Sequence, residues 1–159
     1  MSEFLLNKQA LKQAGDLKKT SSTAEYPLGY KVATIDENNE MRKYIYVKAG
    51  LAVSAKDVSV IDPNFVTSAP ATSAYAVLGS VANTDVASGS FYFAQIKGKT
   101  TVVSAGNTTA GNFGKMTNGA ETITDNGKTR AGTVMCEIIG TRTGGGDVAV
   151  RLSGFTSEI

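Results

Sequence analysis

Apolar and polar positions keep two different rhythms along this chain. Over residues 2–19 the rhythm is helical: at about 100° per residue, Phe4, Leu6, Ala10, Leu11, Ala14 and Leu17 fall in one stripe roughly 160° wide. Lys8, Gln9, Lys12 and Asp16 take the opposite side. Ser2 is placed to cap the helix and Glu3 suits the positive end of its dipole. Gly15 weakens the last turn, Thr20-Ser21-Ser22-Thr23 reads as a polar linker, and Pro27 marks a break. The pattern predicts a helical arm and linker over residues 1–25.

From Gly29 onward the period is two. Residues 29–35, 41–49 and 51–61 read as strands rich in β-branched and aromatic side chains. A polar turn, Asp36-Glu37-Asn38-Asn39-Glu40, joins the first two at hairpin length. Residues 62–73 hold Pro63, Pro70 and many small side chains, so they read as a loop or extended arm. Strands resume at 74–82, 90–96 and 100–104, and 133–139 and 147–153 close the chain as a hairpin around 140–146. There Val134, Cys136 and Ile138 share one face, as do Val148, Val150 and Leu152. Fourteen of the 17 glycines stand at or after Gly79, which points to short strands and tight turns in the second half. Val53-Ser54-Ala55 echoes Val103-Ser104-Ala105, too briefly to claim a duplication. The expected fold is all-β: a small β-barrel or β-sandwich over residues 26–159, preceded by the N-terminal amphipathic helix.

Composition narrows the function classes. A chain of 159 residues is one domain in size and, at 42% hydrophobic and 19% charged, has the make-up of a globular protein. A net charge of +2 announces neither nucleic acid nor membrane, and no apolar run approaches the roughly 20 residues of a span. The first residues lack the apolar core of a secretory signal, so a protein made in the cytoplasm is expected. The single cysteine excludes an intrachain disulfide. Most informative, the chain has no His and no Trp. Without imidazole, Ser-His-Asp and Cys-His catalysis are excluded, along with nearly all transition-metal sites.

The remaining constellations each favour a structural reading. Gly106-Asn107-Thr108-Thr109-Ala110-Gly111-Asn112-Phe113 has the glycine spacing of a phosphate loop, but Asn112 and Phe113 replace its Lys and Ser/Thr. Asp36–Glu40 begins like a calcium loop, yet Met41 stands where Gly should and Val47 where Glu should. Cys136 sits on an apolar face with no His to activate it. No spacing of acids supports a hydrolase, although two carboxylates could still converge in space. No cofactor and no metal are therefore expected, and no catalytic residue is named.

Two features point to binding instead. On the strand Met41–Ala49, Arg42, Tyr44, Tyr46 and Lys48 share a face, opposite Ile45 and Val47. Tyr and Arg are enriched at protein–protein interfaces, a better fit here than the stacking of single-stranded nucleic acid. The helical stripe of Phe4, Leu6, Leu11 and Leu17 either packs on its own domain or docks on a partner, and the Ser/Thr linker permits the second.

The order of these features resembles the capsid decoration, or cement, proteins of tailed phages. Residues 44–58 carry the resemblance: an aromatic strand runs into Ala49-Gly50, then an Ala-rich turn and a valine strand. Residues 89–103, Ala110-Gly111, Gly119 and the closing hairpin through Gly144-Gly145-Gly146 follow in the same order. Lys56 and Asp57 depart from the pattern, where Gly often precedes the valine strand. The resemblance implies a β-rich homo-oligomer, a trimer or dimer, on the outer surface of the capsid. It would bind the major capsid protein and stabilise the shell, through repeated modest contacts and without catalysis. Phe4, Leu6, Leu11, Leu17, Arg42, Tyr44 and Tyr46 are the candidate partner-binding residues. The alternative is a receptor-binding or fibre-type β module that recognises a glycan or a host protein; a carboxylate-based hydrolase ranks last.

Overall fold

A computed structural model describes residues 3–5, 15–70, 78–117, 119–130 and 134–153. Among the described residues, eleven strands form one sheet: β1 (Glu3–Leu5), β2 (Lys31–Asp36), β3 (Met41–Ala49), β4 (Val58–Ile61), β5 (Val66–Ser68), β6 (Leu78–Val81), β7 (Phe91–Ser104), β8 (Phe113–Met116), β9 (Ile123–Asp125), β10 (Val134–Ile138) and β11 (Gly146–Ser153). The all-β expectation holds.

The helical arm does not. Glu3–Leu5 is a strand that pairs antiparallel with β2, and Asp16–Lys18 is a single 3-10 turn. Gly15 precedes it at φ 90°, outside the right-handed helical region. An isolated helix of this length is marginal in water, so an open sheet edge competes well for its backbone. Residues 6–14 of the expected helix lie outside the described residues.

Within the sheet, one circuit of pairings occurs twice. In the first, β3 pairs antiparallel with β7 and parallel with β5, while β5–β4, β4–β6 and β6–β7 are antiparallel. In the second, β7 takes the place of β3: it pairs antiparallel with β11 and parallel with β9, while β9–β8, β8–β10 and β10–β11 are antiparallel. Loop hydrogen bonds repeat as well, about 55 residues further along. Val53 and Val86 exchange N–H···O bonds, as do Thr108 and Arg142. Gly50 N–H donates to Thr67 O, as Ala105 N–H does to Ile123 O. Lys56 N–H donates to Ala82 O, as Gly111 N–H does to Ile138 O. The chain thus contains two five-strand units in tandem, with the 14-residue β7 ending one and beginning the next. Of the small barrel or sandwich that the sequence suggested, the closed barrel is not formed, because β6 meets β7 at one residue pair and β7 meets β9 at one.

Each unit has its own apolar interior. Tyr92, Ala94 and Ile96 line the first with Val47, Ala49 and Ile61; Val148, Val150 and Leu152 line the second with Val102, Ile123, Cys136 and Ile138. Val58, Val60 and Val81 point out of the first unit into the cluster of the second and join the two. Burying each such side chain contributes about 1.5–3 kcal/mol, so the inter-unit seam is as well packed as the units. A third cluster caps the first unit from outside. Tyr26 meets Tyr46 and Phe93 edge-to-face at ring-centroid distances of 5.2 Å, and Tyr46 and Phe93 are tilted at 4.9 Å. Tyr44 is buried in the same cluster, and Leu17 and Tyr30 pack against it.

Candidate functional site

The two units meet at a bend in β7, and the sequence there explains the bend. Register against β3 shifts between Lys43 and Tyr44, and Gly98 stands at φ 94°. A Cβ on Gly98 would lie 2.4 Å from Met41 O, so only glycine lets β3 approach this closely. Buried Gln95 fastens the bend: its amide donates to Lys97 O at 3.2 Å and Lys99 O at 3.1 Å, and accepts from Asn83 at 3.3 Å.

Beside the bend lies a groove of about 640 Å³, walled by Lys18, Arg42, Lys56, Lys99, Asn83 and Gln95 among others. A smaller hollow of about 260 Å³ adjoins it through Lys99 and adds Lys97 and Arg151. Among the described residues, no carboxylate lines the larger groove. Its cations are anchored differently. Arg42 pairs with Asp36 at 3.2 Å, and Lys56 pairs with Asp147. Lys18 and Lys99 are exposed, with no ion-pair partner among the described residues. Asp36 is itself spoken for: its carboxylate accepts the N–H groups of Glu40 and Asn38, which hold it below the usual aspartate range against the effect of burial, with help from Arg42 and Lys99.

The candidate residues from the sequence fare unequally. Tyr44 and Tyr46 are each 3% exposed, covered by Tyr26 and the rest of the chain's own cap, so the expected contact face on β3 is interior here. The Tyr46 hydroxyl accepts the Glu25 N–H at 3.1 Å, and burial pushes its pKa up. Leu17 is half-buried in that cap, and Arg42 is half-buried on the groove. Phe4 stands on β1 opposite Ile35; Leu6 and Leu11 lie outside the described residues. Lys18 and Lys99 were not singled out in the sequence, and Lys56 only as a departure from the resembled pattern. The advance signal for Lys99 was charge around the Gly98 break, which reads locally as a turn.

Cys136 is buried against Gly114 O, and burial pushes its thiol up to about 12. Among the described residues no three of His, Cys, Asp and Glu converge as metal ligands. The Gly106–Phe113 segment is a turn series: Thr108 bridges to Arg142, and Asn112 holds Asp125.

No family model matches this sequence, and no curated protein matches it. Among solved structures, the fold is similar to the head fibre gp8.5 N base of bacteriophage phi29, with a TM-score of 0.52 at 16% identity over 73% of this chain and 98% of that one. The likeness establishes a shared all-β architecture between this chain and the base of a phage head fibre.

Proposed function

We propose that this chain is a non-enzymatic structural protein of a phage virion, carried on the outside of the head as a homo-oligomer bound to the major capsid protein. The observation that carries the proposal is the fold itself, shared along nearly the whole length of a head fibre base. The interior supports it. A chain without His, with its one thiol buried, is built of two rigid units joined by an apolar seam. Such a body suits repeated contact with a symmetric lattice, where modest affinities multiply. The test is co-sedimentation of the purified chain with phage heads that lack it, together with its native mass in solution. Saturable binding to heads by a trimer or dimer is expected; a monomer that stays in the supernatant overturns the proposal.

The fibre-type reading has the same observation behind it, since the similar structure is a fibre's base. It differs in what the outer end would hold. Binding to a glycan array or to host-cell envelopes, without binding to heads, would favour it.

A further inference from the structure

We propose that the cationic groove between the two five-strand units binds an acidic polypeptide segment of a partner protein. Lys18, Arg42, Lys56 and Lys99 converge on it from four separate stretches of chain, and no described carboxylate lines it. Its volume of about 640 Å³ lies in the range of ligand clefts, room for a few side chains and not for a domain.

Two features bear on how the positive charge is held. Lys99 stands directly opposite Arg151 across β7 and β11. Arg151 pairs with Glu40 at 3.4 Å and Glu137 at 3.7 Å, which leaves Lys99 as the member of the pair facing the groove. Like charges facing each other on neighbouring strands destabilise a sheet, and an anion beside Lys99 reduces the penalty. Lys56 adopts φ 78°, a left-handed conformation that disfavours any side chain with a Cβ. Its counterpart in the second unit is Gly111 at φ 83°, so the fold accepts glycine in this turn, yet a lysine is held there facing the groove.

A polypeptide fits better than a nucleic acid. Single strands need exposed aromatic faces for their bases, and among the described residues the one aromatic on this groove, Tyr44, is 3% exposed. The whole-chain charge of +2 gives little long-range pull on a polyanion. Asn83 and Gln95 add amide groups at the groove wall, suited to the backbone of an extended segment. The inference stands apart from the virion role, because it concerns the chemistry of the occupant and not the particle that supplies it.

The experiment uses the full chain and a fluorescein-labelled peptide of alternating Glu and Ser, read by anisotropy at low salt. The double variant Lys18→Glu/Lys99→Glu should weaken binding at least about tenfold, as expected for two attractive charge contacts turned repulsive. Lys31→Glu/Lys115→Glu makes the same change in net charge away from the groove and should stay within about twofold. Unchanged circular dichroism confirms that both variants fold. Equal loss in the two variants, or no peptide binding by the parent chain, overturns the proposal. So does tighter binding of a single-stranded oligonucleotide of equal charge, which would assign the groove to nucleic acid.

Discussion

Single residues decide where this fold bends and where it is uneasy. Gly98 combines a left-handed φ with a Cβ position 2.4 Å from Met41 O, so alanine there meets both backbone strain and a clash with a strand that cannot move aside. Gly98→Ala should cost about 2–4 kcal/mol, read as a lower urea midpoint with an unchanged slope. Tyr92 is the opposite case. Its hydroxyl is buried beside those of Ser59 and Thr67 without reaching hydrogen-bond geometry, where the second unit has Val148, Gly114 and Ile123. Burial pushes the Tyr92 pKa up against the lowering effect of the Thr67 and Ser59 hydroxyls beside it, and removing the hydroxyl breaks no hydrogen bond of good geometry. Tyr92→Phe should therefore leave the melting temperature unchanged or raised, whereas Tyr46→Phe strands the Glu25 N–H and should cost about 1 kcal/mol.

Titration adds a signed prediction at the same scale. Burial, and next the Asp57 carboxylate, raise the Glu121 pKa above its ordinary 4.5. The native state then binds that proton more tightly than the unfolded chain. Its stabilising effect is complete below the unfolded value and is lost as pH rises through the folded one. Glu121→Gln should stabilise the protein at neutral pH, by less than about 1 kcal/mol for so exposed a group, and should do nothing in acid. Asp125 runs the other way. Burial would raise it, but the Gly127 N–H, the Asn112 amide, the Thr109 N–H and Lys128 outweigh that and lower it. Together with lowered Asp36, it contributes stability above the ordinary 3.8 that disappears as pH falls through the folded values. Thermal scans across pH 2–7 of parent and Glu121→Gln, over a range of about five units, check both signs.

At the scale of elements, the sequence was most legible where period and turn chemistry agreed. Strand β3 matches Met41–Ala49 to the residue, the Asp36–Glu40 turn is in place, and the closing hairpin pairs Cys136 with Leu152. What escaped was short or interrupted. Strands β5, β8 and β9 have three or four residues each, too few for a period, and their pairing is set by partners distant in sequence. Strand β7 looked like two strands because Lys97-Gly98-Lys99 breaks its apolar alternation, although Gly98 serves close packing there and not a turn. The face of Tyr44 and Tyr46 looked like an interface because aromatic density signals burial without saying by what. The cover is the chain's own Tyr26 and Leu17. Tyr26 also donates its hydroxyl to buried Asp16, which ties the 3-10 turn to the sheet. Tyr26→Ala should cost about 3–5 kcal/mol and expose Tyr46 and Phe93, seen as binding of a hydrophobic dye. If the dye does not bind and stability holds, residues 15–30 are an ornament and not a cap.

At the scale of the molecule, the tandem arrangement was nearly invisible in sequence because inward positions ask only for apolar volume. Tyr92, Ala94 and Ile96 correspond to Val148, Val150 and Leu152, matching in pattern and in no residue. The one echo that the sequence offered, Val53 with Val103, is in the wrong register: Val53 corresponds to Thr108. Sharing β7 has an energetic consequence. Neither unit can dissolve without stripping partners from a strand that the other needs, and Val58, Val60 and Val81 bury into the second cluster from the first unit. The pair should unfold as one cooperative body. The chain supplies its own reporter, since it has no Trp, all six tyrosines stand at or before Tyr92, and the five described ones belong to the first unit and its cap. Val150→Ala, placed wholly within the second unit, should remove about 2 kcal/mol through lost burial and the cavity left behind. Under one cooperative transition, tyrosine fluorescence and far-ultraviolet circular dichroism shift to lower urea together and by the same amount. Were the units merely adjacent, the tyrosine transition would stay where it was while the dichroism split in two, and the shared strand would be a connection without coupling.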